Sequence, residues 1–309
     1  MRIARVFDLH VLRRTAAHWR SMLFNKRLTG YANLILRRGR VHRRDYLLSV
    51  LAAAAGQSDH LVVTGDITNL SLEHEYEEAR ALLAEVARRT EVTVVPGNHD
   101  IYLYWIQENR RFAHHFRAFT DSDLPELAQD LPAGPFPSVK LRGPVVFIGI
   151  SSAIPRPPFV SAGRIGRRQI EAVERVLAHP AVRRRTPILL LHHPPVDERP
   201  RIAQLRDGLV DAAALRAELA RVPRAVVLFG HLHVRRRWTM RTASGAVELI
   251  AASGAALDHE DASVRAGFNL YEVDDDGTLA SVEAYVIDPV RGGFERRSVE
   301  RVVAHEDRR

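Results

Sequence analysis

LVVTGDITNLSLEHEYEEARALLAEVARR, residues 61–89, decides how this chain is organised. Residues 61–64 form a short apolar, β-branched run of the kind that makes a buried strand, and the run stops at Gly65-Asp66. Over residues 71–89 the apolar positions recur at helical spacing. Ser71 is placed to cap that helix, and Glu73, Glu75, Glu77 and Glu78 fill the first turns, where the helix dipole favours acids. The unit reads as strand, polar turn, helix.

The same grammar recurs on both sides. Buried strands are expected at 3–7, 92–95, 145–150, 188–191 and 225–229, and helices at 46–55, 107–119, 164–177 and 211–220. Such alternation gives an α/β layered fold with central sheets covered by helices. The last third changes character: strands at 247–252, 268–273 and 279–287 follow with almost no helix, and Asp274-Asp275-Asp276-Gly277 is a hairpin turn. These strands are expected to build a second sheet against the first. We expect one domain over residues 1–295, including a basic amphipathic insert at 11–45, followed by a charged, frayed tail at 296–309.

The chain has 309 residues, 46% apolar and 27% charged, an ordinary globular composition. Its net charge of +8 invites a nucleic-acid or membrane reading. All but Lys26 and Lys140 of its 45 basic residues are arginines, however, a skew that genomic base composition produces without selection for binding. Cysteine is absent, which excludes disulfides and thiolate metal sites and leaves His, Asp, Glu and Asn as metal ligands. Met1 leads directly into an expected strand, with no signal-type apolar region and no run of about 18 apolar residues. A cytoplasmic protein is expected, with room for peripheral contact at the inner membrane.

Five polar clusters fall just past the C-terminal ends of expected strands, where open α/β sheets hold their ligands: Asp8-Leu9-His10, Gly65-Asp66, Gly97-Asn98-His99-Asp100, His192-His193-Pro194-Pro195 and Gly230-His231-Leu232-His233. In the Asp-x-His and His-x-His pairs, extended chain sends both side chains to one side, so one cation can take both. Glycines before Asp66, Asn98 and His231 let the backbone turn and approach closely. Carboxylate, imidazole and amide oxygen together suit Mn, Fe, Co or Zn, and two such ions about 3.5 to 4 Å apart clamp the attacking and leaving oxygens of a displacement at phosphorus. A lone Gly-Asp or His-x-His is common in turns and cores, but five in order at strand ends are not.

The series DLH, GD, GNHD, HHPP and GHLH, spanning Asp8 to His233, resembles the calcineurin-like metallophosphoesterase superfamily. The resemblance implies a four-layer α-β-β-α sandwich, with two central mixed sheets flanked by helices. It also implies hydrolysis of a phosphoester by a hydroxide activated at two divalent metal ions. Asp8, His10 and His233 would bind the first metal and Asp66 would bridge. Asn98, His192 and His231 would complete the second, with His192 rather than His193 as the ligand. His99 would contact the phosphoryl oxygens or protonate the leaving group, with Asp100 orienting it.

The metal ligands fix the reaction and leave the substrate open. From Leu9 to Arg44 there is no acidic residue, while ten cations are interleaved with Trp19, Phe24, Tyr31 and several leucines. That composition suits a membrane interface, and equally an apolar packing face with solvated arginines. Arg27 and Arg38 in this segment, and Arg156 in the Pro155–Pro158 loop, are candidate phosphate contacts. Residues 25–33 resemble a block in some bacterial UDP-2,3-diacylglucosamine diphosphatases, which points to a membrane-borne diphosphate or phosphodiester. GNHD and HHPP equally resemble soluble 3',5'-cyclic nucleotide phosphodiesterases. A nucleic-acid-binding module is the remote third reading, because it leaves seven ligand-type residues without a role.

Overall fold

The computed structural model describes residues 1–11 and 42–302. Its strands are β1 (Arg2–Val6), β2 (His60–Thr64), β3 (Glu91–Val95), β4 (Gln129–Leu131), β5 (Gly134–Phe136), β6 (Ser138–Arg142), β7 (Val145–Gly149), β8 (Thr186–Leu191), β9 (Arg224–Phe229), β10 (Arg236–Arg241), β11 (Ala246–Ala251), β12 (Gly267–Val273), β13 (Leu279–Ile287) and β14 (Phe294–Ser298). Its α-helices are α1 (Arg44–Gln57), α2 (Glu73–Val86), α3 (Tyr104–Glu108), α4 (Arg111–Phe116), α5 (Arg167–Ala178), α6 (Pro180–Arg183), α7 (Arg201–Asp207) and α8 (Ala212–Leu219).

Two six-stranded mixed sheets result, ordered β14-β13-β12-β1-β2-β3 and β10-β11-β9-β8-β7-β6. Alternation along the second sheet explains why its strands are apolar throughout. Val145, Phe147, Ile188, Leu190, Val226 and Leu228 enter the core between the sheets. Their neighbours Val146, Ile148, Leu189, Leu191, Val227 and Phe229 join an outer core with Val173 and Val176 of α5 and Leu215 and Leu219 of α8. Each such fully buried side chain contributes roughly 1.5–3 kcal/mol. On the first sheet, Val50, Leu51 and Ala54 of α1 and Tyr76, Ala79 and Leu83 of α2 cover the far side. The expected layered α/β fold with two mixed sheets is present.

Several local expectations are corrected. The strands of the last third do not make a sheet of their own: β11 extends the second sheet beside β9, while β12 pairs antiparallel with β1. The anticipated turn does join β12 to β13, with Gly277 at φ +82° and its N–H on the Asp274 carbonyl. The helix expected at 107–119 is broken at Arg110, whose backbone is left-handed (φ +51°) and whose guanidinium is drawn to Asp130. Ser71 is not the cap of α2; at φ +52° its hydroxyl turns away to the His99 carbonyl at 2.6 Å. Glu75 does the capping, accepting from the N–H groups of Asn69, Leu70 and Leu72. Pairing continues past residue 296, since β14 runs to Ser298 and Arg237 bridges to Arg301. The rest of the tail, and all of the insert between Val11 and His42, including Arg27 and Arg38, lie outside the described residues. Among the described residues no helix is long and apolar enough to cross a membrane.

Candidate metal centre

β1, β2 and β3 run parallel, as do β7, β8, β9 and β11, so the strand ends that carry the five clusters emerge on one edge of each sheet. The Asp-x-His and His-x-His segments are not extended as expected. Asp8, His10, Asp66, His231 and His233 all take left-handed backbone, with φ between +37° and +68°. Non-glycine residues adopt that conformation at a cost, and it recurs where function overrides local preference. One consequence is that His231 and His233 part company, each joining a different group.

In the first group the Asp8 carboxylate is fully buried. His10 Nε2 touches its Oδ1, and His233 Nδ1 lies 2.9 Å from its Oδ2. Neither contact has hydrogen-bond geometry, and both Asp8 oxygens and His10 Nε2 are buried polar atoms with no hydrogen-bond partner. His10 Nδ1 is 3.1 Å from the Thr68 carbonyl, which can only accept, so Nδ1 carries a proton and Nε2 is the atom turned to the carboxylate. Burial disfavours the Asp8 anion, yet His10 and His233 hold its pKa well below the usual carboxylate range.

The second group repeats the pattern. His192 Nδ1 faces the Thr64 carbonyl at 3.0 Å, which leaves Nε2 as an acceptor 2.9 Å from Asn98 Oδ1, 3.1 Å from His231 Nδ1 and 3.5 Å from Asp66 Oδ2. Burial lowers the pKa values of His192 and His231, keeping both neutral and able to ligate. Ligand atoms of Asp66, His10 and His99 also lie within 4.8 Å of one another, so Asp66 stands between the two groups. The fit to metal is direct: carboxylate oxygens, imidazole nitrogens and an amide oxygen converge in a buried place, and a cation among them would take each as a ligand. Two carboxylates, four imidazoles and an amide suit Mn, Fe, Co or Zn.

The profile of the calcineurin-like phosphoesterase family matches residues 1–235. The chain belongs to that family. A probable cyclic nucleotide phosphodiesterase of Rhodococcus erythropolis is 28% identical over 190 residues, 60% of this chain and 55% of that protein. The chain therefore spans about half the length of that curated relative. Among solved structures, a dimetal phosphatase from Danio rerio superposes with a TM-score of 0.55 at 13% identity, covering 96% of this chain and 98% of that one. A purple acid phosphatase from yellow lupin seeds gives 0.56 at 11% identity, over 97% of this chain and 53% of that one. At such identities the likeness is one of fold.

Within this member of the calcineurin-like phosphoesterase family, the surroundings of the two groups are closely built. A Cβ on Gly97 would stand 2.3 Å from the Asp66 N and Oδ1 atoms, which is why the turn before Asn98 needs glycine. His193 has a ring nitrogen within 4.8 Å of ligand atoms of His192 and His231, but both of its ring nitrogens have other partners, the Ser152 hydroxyl at 2.8 Å and the Ser161 carbonyl at 2.8 Å. Arg156 donates through Nε to the Ala162 carbonyl beside His193.

His99 is held by its Nδ1, 2.6 Å from the Asn69 carbonyl, and by Tyr102, stacked on it at 5.4 Å. Asp100, expected to orient His99, turns its carboxylate to the backbone of the surrounding loops. It is fully buried and accepts from the N–H groups of Ile67, Thr68 and Gly97 and from the Thr68 hydroxyl. Burial and the nearby Asp66 push its pKa up to about 7, against donors that favour its anion.

Sequence reasoning passed over four contributors. Arg5 is fully buried, with Nε on Thr64 Oγ1 at 3.1 Å, Nη1 on the Ile250 carbonyl at 2.7 Å and Nη2 on the Phe229 carbonyl. It thereby ties together the ends of β2, β9 and β11 under the site. His42 sets its ring edge-on to His10 at 5.1 Å. Gly254 lies against Asp8, where a Cβ would come 2.6 Å from Oδ2. Arg235 is buried and donates to the Ala262 and Arg265 carbonyls, fixing the loop that carries Gly254. A lone arginine in an apolar strand was the only available signal for Arg5.

Proposed function

We propose that the chain is a metal-dependent phosphodiesterase. Asp8, His10 and His233 hold one divalent ion, Asn98, His192 and His231 hold a second, and Asp66 serves both. The observation that carries this is the convergence of buried ligand-type atoms around Asp8, whose carboxylate oxygens have no hydrogen-bond partner of good geometry, and around His192 Nε2. When bound, the ions supply Lewis-acid polarisation of a phosphoryl oxygen and the positive charge that offsets the anionic transition state. The chain itself orients the site. His99, whose Nδ1–H goes to the Asn69 carbonyl, presents Nε2 to the leaving oxygen and would deliver a proton there from its imidazolium form, with the stacked Tyr102 setting the plane of the ring.

The 28% identical relative favours a 3',5'-cyclic nucleotide as substrate. The acid-free stretch from Leu9 to Arg44 supports the second reading, a membrane-borne diphosphate such as UDP-2,3-diacylglucosamine. Assaying the manganese-loaded chain on bis-p-nitrophenyl phosphate, 3',5'-cyclic AMP and UDP-2,3-diacylglucosamine separates the two. Turnover of the first two, lost with chelator and restored by manganese, is the expected result. Turnover untouched by chelation would remove the metal mechanism, and cleavage of the lipid diphosphate alone would reverse the order of the readings.

A further inference from the structure

Four of the most exposed large apolar side chains belong to two adjacent segments: Phe159 (79% exposed), Ile202 (81%), Leu205 (70%) and Val210 (63%). Two segments running side by side bring them there. Ser161 N–H donates to the Arg206 carbonyl, Gly163 N–H to the Gly208 carbonyl, and Val210 N–H back to the Gly163 carbonyl. Phe159 tops the turn closed by Val160 N–H on the Pro157 carbonyl, and it holds φ +66°, a conformation unfavourable for so large a side chain. Ile202 and Leu205, three apart on α7, share one face.

The patch follows the C-terminal ends of β7 and β8, the same edge of the second sheet from which His192 and His231 project. Its loop is fastened to the metal-site wall, since Ser161 meets His193 at 2.8 Å and the His193 and His231 rings are 4.8 Å apart. The surrounding charge is positive on balance, although Glu198 is exposed beside α7. Arg164 and Arg201 are exposed, whereas Asp207 is engaged by Arg206 and Arg199, and Asp211 accepts from the Ile165 and Gly166 N–H groups.

We propose that Phe159, Ile202, Leu205 and Val210 seat this edge of the protein on an anionic lipid surface, so that the metal site opens toward the bilayer. Apolar side chains ringed by arginine have the chemistry of an interfacial contact: the apolar groups enter the acyl boundary and the cations meet lipid phosphates. The proposal stands independently of which phosphodiester is cleaved.

The test is co-sedimentation of the full chain with phosphatidylcholine–phosphatidylglycerol vesicles and with phosphatidylcholine alone, for wild type, Phe159→Ser, and the triple variant Phe159→Ser/Ile202→Ser/Leu205→Ser. Wild type should pellet with the anionic vesicles, and the triple variant should partition about tenfold less or weaker still, with the single variant between them. Circular dichroism melts of all three proteins check folding without reference to activity, and hydrolysis of soluble bis-p-nitrophenyl phosphate should be unchanged. The proposal is overturned if wild type stays in the supernatant, or if the variants pellet as wild type does. It is equally overturned if wild type is a dimer through this patch, with the triple variant monomeric and lipid binding unaltered.

Discussion

His10 and Asp8 meet in the interior: His10 Nε2 abuts Asp8 Oδ1 while His10 Nδ1 is already committed to the Thr68 carbonyl. A buried carboxylate in that setting is costly unless a proton or a metal ion is shared there. Metal loading should therefore stabilise the fold as well as enable turnover. With manganese at about 100 times its dissociation constant, the gain is about 2.7 kcal/mol, seen as a melting midpoint several degrees higher. Identical melts in manganese and in chelator would contradict the assignment.

Asp66 and Gly97 form one unit. Asp66→Ala should lower kcat/KM by about 10³-fold, the several kcal/mol expected of a metal-bridging carboxylate. Gly97→Ala introduces a Cβ 2.3 Å from Asp66. It should cost about 10- to 100-fold through displaced ligands, with weaker manganese binding by titration. Gly97→Ala with wild-type affinity for manganese would show that the turn tolerates the methyl group.

His99→Gln should lower kcat by about 10²-fold with a smaller change in KM, as expected for a proton donor. Tyr102→Leu, which removes the ring stacked 5.4 Å from His99, should give a milder loss in kcat, and Tyr102→Phe should keep nearly full activity. Equal losses in the Leu and Phe variants would assign the effect to the hydroxyl instead of to stacking.

Arg5→Met leaves the Phe229 and Ile250 carbonyls and the Thr64 hydroxyl without their buried donor. At about 1–3 kcal/mol for each unsatisfied group, the urea midpoint should fall clearly. Manganese affinity should fall with it, because β2 and β9 end in Asp66 and His231.

His60 gives the pH dependence of stability away from the metal site. Its ring stacks on Phe147 at 4.1 Å, and burial, opposed by Glu91, pushes its pKa down to about 3. Because the folded pKa lies below the unfolded value of 6.5, its contribution is complete above about 6.5 and is lost as pH falls toward about 3. The integrated effect is of order 4 kcal/mol. Urea unfolding followed from about pH 7 to about pH 4 should show a shallower decline for His60→Phe than for wild type. Parallel declines would mean that other groups carry the acid sensitivity.

The elements and the ligand types were legible in the sequence because each depends on short-range chemistry. The apolar run at 61–64 can only be a buried strand, a polar cluster just after it sits at a strand end, and the absence of cysteine confines metal binding to His, Asp, Glu and Asn. Local spacing misled where the backbone departs from regular structure. His231-Leu232-His233 looks like a pair aimed at one cation, yet its left-handed φ values send the two rings to different groups. Ser71 looks like a cap, yet tertiary contact draws it to His99.

By itself, then, the sequence determined the α/β layering, the family and the residue types at the strand ends, since these follow from periodicity and from motifs within a few residues of each other. Only the tertiary structure decided which ligand-type atoms face one another, that Arg5 and Arg235 are buried, that β12 closes onto β1, and that the segment carrying Phe159 runs beside the one carrying Ile202 and Leu205. Those relations link residues tens to hundreds of positions apart. They depend on sheet order and loop path, which no local spacing encodes.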